Sequence, residues 1–166
     1  MKWKKILKGL MNRGFNYNFE EALKLMETDR KRLSKEIIEQ VMTLPGYGEV
    51  YKRTYEVFGI KRSAELAILV IELPLYLPLV KLKGLLGLPN KNEGRYNHRL
   101  RGHVSAFATS LYLCVNRGAS VSNEVIESVG HLPKRLAISK LELIILKTLR
   151  ITYLTIMKMK TLADGQ

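Results

Sequence analysis

The stretch TLPGYGEVYKR, residues 43–53, sets a proline, two glycines, a tyrosine and two adjacent cations between runs of helical character. Pro45 stops the preceding helix, and Gly46 and Gly48 free the backbone for a tight hairpin around Tyr47. A helix that restarts at once turns its N-terminal amides toward the hairpin mouth. Those amides, at the positive end of the helix dipole, can hold a phosphate, and Lys52 and Arg53 would reinforce the grip. The alternative is a plain helix-to-helix connection. A second candidate is PNKNEGRYNHRLRG, residues 89–102, read as a polar basic loop. Lys91, Arg95, Arg99 and Arg101 can pair with phosphates, the arginines bidentately, while Tyr96 and His98 can stack on or bond to sugar and base. Here the alternative is a solvated loop with no ligand.

The charge of the whole chain favours the same chemistry. Its 166 residues carry 28 Lys+Arg against 15 Asp+Glu, a formal net charge of +13. Such an excess favours a polyanion, nucleic acid first and an anionic membrane surface second, the alternative being a basic surface that binds neither. Apolar residues make up 46% and charged residues 26%, ordinary values for a folded chain, and the length suits one core-bearing domain with or without a helical arm. The acids exclude more. Asp occurs only at Asp29 and Asp164, whereas metal-dependent nucleases cluster several carboxylates, so a self-sufficient two-metal site is not expected. Cys114, the only cysteine, leaves no internal disulfide and reads as a packed core residue rather than a nucleophile. His98, His103 and His131 lack a carboxylate partner at metal-site spacing, so neither metal nor cofactor is expected. The basic start MKWKKILKGLMNRG has too short an apolar part for a signal peptide, which points to a reducing, cytoplasmic compartment.

The elements that must position these residues read as all-α. Residues 18–44 form a long helix with Asn18 as cap, Glu20 and Glu21 in its first turn, and an apolar stripe of Leu23, Met26, Leu33, Ile37, Val41 and Leu44. A second helix is expected over 49–59 with Gly59 as its C-cap, and a third after a Ser63 cap until Pro74 breaks it. Residues 75–88 read as a kinked helix or two short pieces. An apolar helix follows over 103–118, then a short one capped by Ser122, then a long final helix with Lys140, Lys147 and Lys158 along one edge. The apolar run 64–80 holds Glu65, Glu72 and two prolines and is too short to span a bilayer. The expected organisation is a basic segment and arm over 1–40, a hairpin-containing domain over 41–130, and a C-terminal helix over 131–166 packed on it.

The order "LPGYG", "GLP" at 87–89, "EG" at 93–94, "RYNHRLRG" at 95–102 and "HVSAFATSLYLCV" at 103–115 resembles the C-terminal domain of the IS-one-ten family of insertion-sequence transposases. The first of these is the pattern of a helix-hairpin-helix, although Lys52 stands where such motifs usually carry a small residue. The resemblance covers roughly residues 20 to 120. It implies a DNA-mobilising ancestry, with the family's acidic ribonuclease H-like domain missing and Glu93 where the family's nucleophilic serine would stand. Ser105, further on, is a poor replacement. The expectation is therefore a helical bundle containing a helix-hairpin-helix and preceded by a long arm, binding DNA phosphates, with or without a guide RNA, and without catalysis of its own. The alternatives are an active recombinase subunit needing a separate acidic partner, or a membrane-associated helical protein. Self-association through 18–44 is compatible with the stripe. No small-molecule substrate is expected.

Overall fold

The computed structural model describes residues 5–6, 9–10, 12–14, 19–60, 62–88, 96–118 and 121–163, apart from the side chains of Phe19 and of 160–163. The chain is all-α: among the described residues it holds α1 (Phe19–Thr43), α2 (Tyr47–Phe58), α3 (Ala64–Glu72), α4 (Leu79–Leu85), α5 (His98–Asn116), α6 (Asn123–Val129) and α7 (Lys134–Ala163), and no strand. Asn18, the expected cap of α1, falls outside the described residues. None of these helices is long and apolar enough to cross a membrane.

The chain divides into two compact units, Met1–Glu36 and Ile37–Gln166. In the first, α1 exposes Leu25, Met26 and Leu33, and its polar surface is laced by Arg32, which pairs with Asp29 at 3.6 Å and Glu36 at 3.1 Å. Exposed helix pairs of this kind add a few tenths of a kcal/mol each (about 0.3–0.5).

The second unit is a helical bundle. α5 packs against α3 and α7, and α2 against α7 and α3. The core is made of apolar side chains from all of them, among them Val50, Phe58, Leu69, Phe107 and Ile145. Phe58 and Phe107 meet edge to face, with ring centroids 5.6 Å apart, so the end of α2 is fixed to the middle of α5.

Local chemistry sets the ends. Gly59 closes α2 in the left-handed conformation (φ 69°), and the Ser63 hydroxyl caps α3 by accepting from the Leu66 amide at 3.2 Å, both as the sequence implies. The Tyr51 hydroxyl, buried on α2, accepts from the Ser63 amide at 3.2 Å and so ties the two helices together. Two expectations fail. Ser122 precedes α6, but its hydroxyl is buried without a hydrogen-bond partner and does not cap the helix. Residues 75–88 form neither a kinked helix nor two helical pieces. A turn bounded by Pro74 and Pro78 leads into the single short helix α4.

Burial raises the Tyr51 phenol above its ordinary value of 10.0, the Ser63 and Arg62 backbone bonds opposing this only in part. The folded chain therefore holds this proton more tightly than the unfolded chain. The stability so gained is complete below about pH 10 and is lost as the pH climbs above it. Tyr51→Phe is expected to lower stability by about 1 kcal/mol at neutral pH through the lost hydrogen bond, and to flatten the alkaline loss. Urea midpoints at about pH 8 and about pH 11 check both parts.

Candidate nucleic-acid interface

The hairpin between α1 and α2 is built by two glycines with different duties. Gly46 sits at φ 83°, ψ −44°, a conformation that side-chain-bearing residues avoid. Gly48 lies where a Cβ would come within 2.6 Å of the Met42 carbonyl oxygen, so only glycine lets the start of α2 approach the end of α1. Because of that approach α2 begins at Tyr47, two residues before the position the sequence suggests. The Gly48 amide donates to Leu44 O at 3.1 Å and the Val50 amide to Gly46 O at 3.0 Å. The amides of Tyr47 and Glu49 have no backbone partner among the described residues, as befits the first turn of a helix.

The side chains around the hairpin divide. Gly46 and Gly48 are buried and Tyr47 half-buried, its ring 6.4 Å from that of Tyr153 on α7. Tyr47 thus packs onto the last helix rather than between the two hairpin helices. Lys52 is exposed, with no carboxylate partner among the described residues. Arg53 is exposed too but pairs with Glu49 at 3.0 Å, the acid that occupies the first turn of α2.

The basic segment differs more from expectation. Residues 98–102 are not loop: α5 starts at His98, five residues before the expected helix, because the Asn97 side chain caps it by accepting from the Leu100 amide at 3.0 Å. The Asn97 amide in turn donates to Leu85 O at 2.9 Å. Tyr96 lies over Gly87, whose added Cβ would meet the ring at 2.9 Å, and its centroid is 4.1 Å from that of His98. Lys91, Glu93 and Arg95 lie outside the described residues.

α5 therefore opens with His98, Arg99 and Arg101 and no acid in its first turn. The two guanidinium groups at the positive end of the helix oppose its dipole, at about 0.3–1 kcal/mol each unless an anion lies near. Glu72 and Glu142 supply one carboxylate for each. Arg99, itself exposed, forks onto the half-buried Glu72, with Nη2–Oε2 2.6 Å and Nη1–Oε1 2.8 Å. Arg101 turns inward to Glu142 (Nη2–Oε2 2.9 Å), a carboxylate on α7 that is only 2% exposed. Ser105, one turn further along α5, donates its hydroxyl to the other oxygen of Glu142 at 2.5 Å. The Ser105 hydroxyl is thus committed to a carboxylate whose charge Arg101 balances, which makes it a structural bond between α5 and α7.

Both candidate segments lean on α7. Tyr47 meets it at residue 153 and Arg101 at residue 142, so along the helix axis the two contacts lie about 16 Å apart. Lys140 and Lys147 on the same helix are exposed, as the expected basic edge requires. Nothing local in the sequence marks Glu72 or Glu142 as a partner for the arginines. The one signal for Glu142 was a lone carboxylate within the apolar run LELIIL. Comparison with protein-family models, with curated proteins and with solved structures gives no match.

Proposed function

We propose that this chain is a cytoplasmic nucleic-acid-binding protein that grips a sugar-phosphate backbone, in line with its resemblance to the C-terminal domain of the IS-one-ten transposases, and that it has no catalysis of its own. The observation that carries this reading is the crowding of His98, Arg99 and Arg101 at the positive end of α5, in a chain of net charge +13. Glu72 and Glu142 balance the two arginines within the fold, and a phosphate would bind there by taking the place of Glu72 at Arg99. The contacts are the amides of Tyr47 and Glu49, the exposed cations Lys52 and Arg53, and Arg99 once it exchanges Glu72 for a phosphate. Glu72 is only 29% exposed and its Oε2 is buried, so a phosphate must outweigh a forked, partly buried pair to take the arginine. Arg101 acts from behind by neutralising Glu142. Backbone contacts of this kind position a strand without reading its sequence.

Fluorescence anisotropy with a short labelled duplex across a salt series tests the reading. Arg99→Ala and Lys52→Ala are each expected to weaken binding on every sequence alike and to flatten the salt dependence by about one phosphate. Affinity unchanged in both variants would remove these residues from the interface.

A further inference from the structure

Outside the contacts just named, the second unit carries an exposed aromatic ring held more firmly than an idle surface side chain needs to be. Tyr76 is 66% exposed, in the short turn between Pro74 and Pro78. The turn is closed by the Leu77 amide donating to Pro74 O at 2.9 Å, and Leu75 anchors it from the core side. α7 then clamps it: Arg150 Nε donates to Leu77 O at 2.7 Å. One turn along the same face of α7 is Tyr153, half-buried, whose ring lies 6.4 Å from that of Tyr47 beside the glycine hairpin. Burial first, then the phenols of Tyr47 and Tyr76, raise the Tyr153 phenol. Lys147, one turn before Arg150, is exposed.

We propose that Tyr76, on the turn that Arg150 clamps, is a stacking surface for unpaired bases of a nucleic-acid strand, with the cations of α7 to meet its phosphates. This rests on the reading of the chain as a phosphate-binding protein and names the form of nucleic acid it prefers. Inside a duplex the base faces are already stacked and only phosphates and groove edges are offered. An unpaired strand offers both a backbone and open π-faces, the combination that cations interleaved with tyrosines match. Two prolines and the Arg150 clamp fix the backbone at Tyr76, and a tyrosine has only two side-chain torsions to freeze, so little entropy is lost on stacking.

The full chain is titrated with oligothymidylate and oligouridylate of about 12 nucleotides and with a duplex of the same length. Tyr76→Ala is expected to weaken binding of both single strands by about 5-fold or more and to leave the duplex affinity unchanged, while Tyr76→Phe keeps wild-type affinity because stacking needs the ring and not the hydroxyl. Tyr76 is exposed, so neither variant is expected to disturb the fold, and matching urea midpoints verify that. The inference is overturned if Tyr76→Ala leaves single-strand binding intact or weakens strand and duplex alike, and salt-sensitive duplex binding would then still stand. Wild-type protein that binds no nucleic acid at low salt would overturn this inference together with the reading beneath it.

Discussion

Arg101→Ala is expected to cost about 2–4 kcal/mol of folding stability, more than any other single change among the cations. The reason is Glu142. Its carboxylate is 2% exposed and, among the described residues, meets the Arg101 guanidinium and the Ser105 hydroxyl. Removing the arginine leaves a buried anion with one hydrogen bond, and the chain must either carry an unpaired charge or take up a proton to fold. The estimate sits below the full figure for a buried pair because the Arg101 side chain is still 27% exposed and water can reach into the gap. Arg101→Met combined with Glu142→Leu is expected to restore most of the loss, since removing both charges removes the desolvation cost with the attraction. Urea unfolding of the two single variants and the double variant measures the coupling directly. If Arg101→Ala were within about 0.5 kcal/mol of wild type, Glu142 could not be the buried, arginine-dependent group described here.

Gly48→Ala comes next, at about 1–3 kcal/mol. The new methyl would lie 2.6 Å from the Met42 carbonyl oxygen, a backbone atom that cannot swing aside, so α1 and α2 must part. Gly46→Ala reaches a comparable loss by another route. It has to hold φ 83° with ψ −44°, at about 1–3 kcal/mol of backbone strain. Gly102 is the control. It lies within α5 with nothing inside 4 Å of an added Cβ, and Gly102→Ala is expected to raise stability by about 0.5–1 kcal/mol. Thermal or urea unfolding separates the three. A Gly48→Ala variant as stable as wild type would mean that the hairpin is looser than the close approach of its helices requires.

The elements bounded by local chemistry were legible in the sequence. Ser63, Gly59 and Pro74 act through neighbours within four residues, and the ends of α2 and α3 lie where those residue types require them. The start of α5 was not. In NHRLRG the run of polar and basic side chains reads as loop, because nothing local offsets the two arginines at the start of a helix. The groups that do, Glu72 and Glu142, stand 27 and 41 residues from their arginines and become neighbours only when α3 and α7 pack on α5. The same holds for the candidate site. Gly46 and Gly48 announce a hairpin, but that Gly48 is needed because of Met42, and that Tyr47 faces Tyr153 rather than the hairpin interior, depends on how α1 and α7 meet α2. Ser122 shows the converse: a residue of the right type at the right place, whose hydroxyl packing has turned away from the cap.

The measurement closest to the heart of the matter is the affinity of the full chain for a short DNA duplex as a function of salt. With about four phosphates neutralised, the logarithm of the association constant should fall with a slope of about −3.6 against the logarithm of salt concentration, or roughly 100-fold between about 50 mM and about 200 mM. Arg99→Ala should make that slope shallower by about 0.9. A flat response, or no binding at the lowest salt, would mean that the cations at the start of α5 and around the glycine hairpin serve the fold alone and hold no strand.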